Sequence, residues 1–425
     1  MPMSESFQDR LFPNLPRIVE HFGTPFHIYD EKGIRKTLQS LIGAFCSRRI
    51  DFKEFYAVKA LPKLDIMHII KSEDCGFDCS SIPELRLAYD VQATPDDIMF
   101  TSNNTSQEEF KEAMTVRCIL NLDDEIFIDK IPGNFPELVS FRLNPGNRKT
   151  GDEVNSIIGN PVDSKYGVPI ENIVRAYGRA KGKGATSFGL HTMVCSNDLD
   201  YTHLVSTLSL LLEVSALIYR ELGIRIQFVN VGGGVGIPYR LEDKSFNMEG
   251  FAEAAKILLL RFEAFHRFVP KLYMESGRYV TGPHGVLVNR VINVYEKYKS
   301  FVGVEVAMPA LMRVGMYSSA YHHCTVLDKN FIPKDGPTRI VTIAGSICEN
   351  CDVLARDILL PVVEEGDYII THDTGAHGSA MGFNYNGRTR PQELLLNDHS
   401  VLRIGVAETY EDLERHGDYK EISLS

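Results

Sequence analysis

Several features that would direct this chain elsewhere are missing. No apolar run is long enough for a bilayer: the longest in a helical setting, residues 204–219, is broken by Ser, Thr and Glu, so no membrane partner is expected. The opening MPMSESFQDR has neither the basic flank nor the apolar core of a secretory signal, and a cytoplasmic location is expected. There is no acidic or basic tail. A formal net charge of -11, spread along the chain, argues against nucleic acid as a principal partner. Internal repeats, low-complexity tracts and long linkers are also missing. The eight cysteines (Cys46, Cys75, Cys79, Cys118, Cys195, Cys324, Cys348, Cys351) include two close pairs, but neither has a matching His or Cys pair at zinc-finger spacing. They read as reduced thiols, and no metal site is expected.

What is present is ordinary for a globular enzyme. With 425 residues, 44% hydrophobic and 24% charged, the chain can bury two domains or one large barrel with an appendage. From about residue 52 to 285, short β-like runs recur: FKEFYAV, GFDCS, IMFTS, CILNL, LVSFRLN, FGLHTMV, IQFVNVGG and KLYMES. Helical periodicity fills the gaps, as in LDIMHIIKSE, PELRLAYDV, TSQEEFKEAM and HLVSTLSLLLEVSALIYREL. Eight strands alternating with helices is the arithmetic of a (β/α)8 barrel, with a doubly wound open sheet as the alternative. The barrel is favoured because Lys59, Asp78, Arg142, His191, Gly232 to Gly234 and Glu275 all fall at the C-terminal ends of these runs, where barrel enzymes build their sites. Beyond it, GVLVNRVINVYEKY, RIVTIAG, DYIITHDTG and VLRIGVAETY read as strands of a mainly β domain, to which the early FHIYD strand would belong. The expected division is residues 36–285 for the barrel and 1–35 with 286–425 for the β-rich domain.

Three stretches carry chemistry. FYAVKA, residues 55–60, delivers Lys59 at a strand end against an apolar wall, a setting that suits carbonyl chemistry as well as a solvated loop. VGGGVG, residues 231–236, lets backbone N–H groups approach a phosphate, although it is neither a P-loop nor a dinucleotide fingerprint and also reads as a bare turn. MESGRY, residues 274–279, sets Glu275 and Arg278 across a Ser-Gly turn. A carboxylate there suits a pyridine nitrogen and a guanidinium suits a phosphate; a surface ion pair is the plainer alternative.

Together these describe a pyridoxal-phosphate site. The chain resembles the alanine-racemase-like barrel group of pyridoxal-phosphate decarboxylases (fold type III), and within it the diaminopimelate decarboxylases. The landmarks, in order over nearly the whole chain, are FYAVKA, GFDCSS, RLNPG, SKYGV, NVGGGVGIPY, MESGRYVTG, RVGMY, CENCD, and GAHG followed by NYNGR. The resemblance implies that Lys59 carries the cofactor covalently and later donates a proton. It implies that Gly232, Gly233, Gly234 and Arg278 hold the phosphate, that Glu275 meets the ring nitrogen, and that Asp78 is an acid beside the lysine. Arg313 and Tyr317, one helical turn apart in RVGMY, would address the carboxylate that the substrate retains. Cys348 would act near the reacting carbon and Glu349 would bind the distal amine, both reaching a partner's site across a homodimer; Tyr385 is a second aromatic close by.

Two positions depart from the pattern. Met193 stands where many relatives carry a histidine stacked on the cofactor, so either His191 takes that role or Met193 packs on the ring and His191 is structural. His377 stands where a tyrosine near the phosphate is usual. The expected activity is decarboxylation of meso-2,6-diaminopimelate to L-lysine and carbon dioxide, a small-molecule amino-acid reaction in lysine biosynthesis. The alternatives are another carboxylated diamine or a D-diamino acid as substrate, a racemase on the same barrel, or a non-catalytic cofactor-binding homologue.

Overall fold

Short apolar runs bounded by turn residues pair as parallel strands when the connection between them is a helix that crosses back over the sheet, and this pattern governs the first unit. In the computed structural model, which describes residues 2–147, 160–415, 417 and 422, the chain divides into two units. One is Gly33–Pro238 with Glu242–Gly282, and the other is Met1–Lys32, Tyr239–Leu241 and Pro283–Ser425.

The first unit is a closed parallel barrel. Its strands are Phe52–Ala57, Gly76–Cys79, Ile98–Phe100, Ile119–Leu122, Leu138–Asn144, Ser187–His191, Phe228–Asn230 and Lys271–Met274. Each pairs with the next, and the ring closes where Met274 lies opposite Glu54. The eight runs recognised in the sequence are these eight strands. A two-residue strand, Val168–Pro169, adds only to the end of Leu138–Asn144. Inside, Phe55, Met99, Ile119 and Phe228 pack with Leu138 and Tyr273 into a filled floor. The barrel is therefore a core with a chemical rim, as expected of this architecture.

Helices begin where side chains can receive their free N–H groups. Ser106 opens Gln107–Val116 with a capping box: its hydroxyl accepts from Glu109 N at 3.2 Å, and the Glu109 carboxylate accepts from Ser106 N at 2.7 Å. Such a cap contributes about 1 kcal/mol. The run at residues 204–219 lies in Tyr201–Leu222, which by length and composition could cross a membrane, contrary to the expectation above. Leu204, Leu208, Leu211 and Ile218, at helical spacing, are instead buried in a helix that packs against Ser187–His191 and Phe228–Asn230.

The second unit is built on a nine-stranded mixed sheet. Phe26–Asp30, the FHIYD run, sits inside it: Phe26 pairs antiparallel with Val288 and parallel with Gln392. All five of its residues are buried, as a strand covered on both faces requires. The long strand Gly285–Glu296 also pairs with Tyr368–Thr371 and with Ser300–Val304. One core gathers Val302, Leu311, Ile343 and Leu354. Another gathers Phe7, Leu11, Ile28, Val286 and Leu394, bringing in the N-terminal helix Glu5–Leu11.

Candidate active site

The barrel rim assembles a lysine and two buried acids. Lys59 lies on the single turn Val58–Ala60 that follows the first strand; its side chain is half exposed, and its Nζ stands 3.7 Å from Asp78 Oδ2. Asp78 lies one residue before the end of the second strand, almost fully buried, and its Oδ1 has no hydrogen-bond partner among the described residues. Burial, reinforced by Glu275 and opposed by Lys59, pushes its carboxyl up to about 8. Glu275 behaves in the opposite way. Burial acts to raise it, but the His191 imidazole, with Lys59 and Arg142 behind, outweighs burial and holds it below the usual carboxylate range. Its Oε2 meets His191 Nε2 at 3.1 Å, and its Oε1 accepts from Asn230 Nδ2 at 2.7 Å. Two neighbouring carboxyls with opposed proton affinities are a usual mark of acid–base or cofactor chemistry.

The glycine loop is locked to this acid. Gly232 has a φ of +71°, and a Cβ there would stand 2.5 Å from the Thr192 carbonyl oxygen. A Cβ on Gly233 would stand 2.3 Å from the Glu275 carbonyl oxygen. These glycines, with Gly234 following, are thus demanded by backbone approach alone. Gly232 N donates to Asn230 Oδ1 at 2.8 Å, and Glu275 N donates to Gly232 O at 2.9 Å. Gly233 N points to Met193 Sδ at 3.2 Å. Met193 therefore lies on the loop, while the imidazole of His191 is directed to the carboxylate of Glu275. Arg278, buried, begins the short helix Arg278–Thr281. The turn before it is held by the buried carboxylate of Glu54, which accepts from Ser276 N.

Three contributors escaped the sequence analysis or received no role there. Asn230 ties the glycine loop to Glu275; its signal was a polar residue inside the apolar run FVNVGG. Arg142 bonds Asp123 at 3.4 Å and lies 4.5 Å over the Tyr166 ring. Asp123 also accepts from Asn103 at 3.0 Å. Glu54, a fully buried carboxylate in the strand FKEFYA, was the third.

The second unit holds the remaining candidates. Arg313 is buried and starts the helix Arg313–Met316; Tyr317 closes that turn by donating its N–H to Arg313 O at 2.9 Å. Cys348 and Glu349 are both exposed. Cys348 Sγ lies 3.5 Å from Tyr385 Oη, and Cys348 N donates to Asn386 Oδ1 at 3.0 Å. Cys348, and then Glu349, push the Tyr385 phenol up. The turn carrying them is braced by buried Asp352, which accepts from Met308 N at 2.8 Å and Ile347 N at 2.9 Å. His377 is half-buried, with a left-handed φ of +57°. The structure thus brings Lys59, Asp78, His191, Gly232, Gly233, Glu275 and Arg278 to one rim, and Cys348, Glu349 and Tyr385 to one turn.

The chain is similar to known proteins along most of its length. Residues 33–282 match the family described as pyridoxal-dependent decarboxylase, pyridoxal binding domain. Over 413 residues the chain is 43% identical to protein TabA of Pseudomonas amygdali pv. tabaci, covering 97% of this chain and 95% of TabA. Over 403 residues it is 32% identical to diaminopimelate decarboxylase of Methanothermobacter thermautotrophicus, covering 94% and 92% of the two chains. The solved structure of diaminopimelate decarboxylase from M. jannaschii with L-lysine has a TM-score of 0.85 at 28% identity, covering 95% of this chain and 94% of that one.

Proposed function

Because the chain belongs to the pyridoxal-dependent decarboxylases, and is therefore an enzyme working with pyridoxal phosphate, we propose that it converts meso-2,6-diaminopimelate to L-lysine and carbon dioxide, the closing step of lysine biosynthesis. The observation that carries this reading is the buried guanidinium of Arg313 with Tyr317 one turn on. An arginine fork beside a phenol suits a second carboxylate, which a simple diamine precursor such as ornithine lacks.

The barrel residues fit the cofactor. Asp78 keeps an orphaned buried oxygen beside the Lys59 amine, and Glu275 is held ionised, as a partner for a protonated pyridine nitrogen must be. When bound, pyridoxal phosphate supplies an electron-poor ring that accepts the electron pair left by a departing carboxylate. Lys59 would hold it covalently, and Gly232, Gly233, Gly234, Arg278 and His377 would hold its phosphate. His191 acts through Glu275, fixing the carboxylate from one side while Asn230 fixes it from the other. Substrate orientation falls to Arg313, Tyr317 and Tyr385 at the retained head and to Glu349 at its amine, and the thiol of Cys348 or the amine of Lys59 returns a proton to carbon.

Release of carbon dioxide from meso-diaminopimelate, set against L-ornithine, D-ornithine and carboxynorspermidine, tests this function. Release from the first well above the others is expected; release only from a substrate without the second carboxylate would refute it. A second reading, decarboxylation of another carboxylated diamine or a D-diamino acid by the same machinery, draws support from the identity to TabA, which exceeds that to the diaminopimelate decarboxylase compared above.

The β-rich unit is assigned substrate-binding and dimer-interface roles, with Cys348 and Glu349 serving the partner's site in a homodimer. Mixed Lys59→Ala and Cys348→Ala subunits should then regain part of the activity that each lacks alone. Mixtures as inactive as the parents would argue against shared sites.

A further inference from the structure

Arg313 does not stand alone in its unit. His322, fully buried, lies against it, with Arg313 Nη1 and His322 Nε2 2.9 Å apart. The other ring nitrogen, Nδ1, lies 2.8 Å from the carbonyl oxygen of His372. Chemistry fixes every proton in this chain. A guanidinium can only donate and a carbonyl can only accept, so His322 is the neutral Nδ1–H tautomer whose Nε2 lone pair receives Arg313. The Arg313 guanidinium carbon also sits 4.4 Å over the Tyr239 ring, and that ring meets the His322 ring edge-on at 5.0 Å and 74°. The far anchor is itself fixed. His372 N donates to His323 O at 2.9 Å, and His372 Nε2 pairs with Thr325 Oγ1 at 2.9 Å.

One constraint acts on the edge of the guanidinium and the other on its face. Together they remove rotation about its terminal torsions. A planar fork binds a carboxylate in a bidentate manner only when the two planes align, so a fixed plane converts a mobile charge into a shaped receptor. We infer that His322, together with Tyr239, is a positioning residue that fixes the plane of Arg313 and thereby sets affinity for the carboxylate the substrate retains. This inference rests on the reading of Arg313 as that carboxylate's partner.

Two substitutions in the holoenzyme separate an oriented acceptor from mere bulk. His322→Asn keeps a donor for the His372 carbonyl but is too short to reach Arg313, whereas His322→Gln extends an acceptor oxygen to about the place of Nε2. His322→Asn is expected to raise KM for meso-diaminopimelate ~10–100-fold. It should leave kcat within about threefold and the visible absorbance of the bound cofactor unchanged. His322→Gln should recover most of the lost affinity. A wild-type KM in His322→Asn, or equal impairment in both variants, would overturn the inference. Arg313→Leu is measured alongside. An unchanged KM there overturns the substrate reading and this inference with it. A raised KM there beside an unaffected His322→Asn overturns the inference alone.

Discussion

Asp78 and Glu275 lie in one barrel mouth and hold protons differently, because what surrounds each differs. Among the described residues Asp78 has Lys59 at 3.7 Å and an oxygen with no hydrogen-bond partner; Glu275 has an imidazole and an amide on its two oxygens. The consequence for stability has a definite sign. With its folded-state value near 8 against an ordinary 3.8, Asp78 holds a proton in the folded protein that the unfolded chain releases. Between about pH 4 and pH 8 its contribution therefore weakens the fold as pH rises. Asp78→Asn removes that term, so in the cofactor-free protein denaturant unfolding at pH 5 and pH 8 should show a flatter pH dependence, with the variant gaining most at pH 8. An unchanged slope would show that Asp78 is ionised in the fold. At this scale the sequence was informative about which residues matter and poor about whom they touch. Lys59 and Glu275 stood out at the ends of apolar runs. The partnership of His191 did not, because the strand ends at His191. Alternation along a strand therefore does not govern Met193.

At the scale of elements, the eight barrel strands were legible because each is a short apolar run set between helical segments. Much of the second unit was not. Ser300–Val304, Cys324–Leu327, Val353–Pro361 and Gln392–Leu396 are strands with no clear signal. All five residues of Gln392–Leu396 are buried, so the polar–apolar alternation that marks a half-exposed strand is lacking. The helix Met248–His266 was likewise not singled out, and Ile257, Leu260 and Phe265 on its outer side are exposed, which blurs the apolar stripe. The glycine loop was recognised for phosphate chemistry, yet its geometry also gives a structural reason for its composition. Gly232→Ala forces a side chain into a left-handed backbone 2.5 Å from a carbonyl. The backbone strain alone costs about 1–3 kcal/mol, so the variant should melt several degrees lower and retain less cofactor. A wild-type melting temperature would mean that the loop does not hold this conformation.

For the whole molecule, the proposed function divides the chemistry by unit. Carbonyl and ring chemistry is assigned to the barrel that carries Lys59 and Glu275. In the proposed function, substrate choice falls some 250 residues later, to a β-rich unit whose Arg313 was visible in RVGMY but whose contacts with His322 and Tyr239 were not. Tyr239 is distant from Arg313 in the chain, and His322, nine residues on, lies beyond the short helix that Arg313 begins, so periodicity carries no information on either pair. Arg313 is the residue on which the account turns. A site that reads the second carboxylate with a buried guanidinium should discriminate against an analogue lacking it, since that analogue forfeits the charge-assisted contact. The decisive measurement is the ratio of kcat/KM for meso-diaminopimelate over L-ornithine, in the wild type and in Arg313→Leu. A wild-type ratio of at least about 10³ that falls ~100-fold or more in the variant is expected; a ratio near one in the wild type, or one that the substitution leaves unchanged, would contradict a carboxylate-reading role for Arg313.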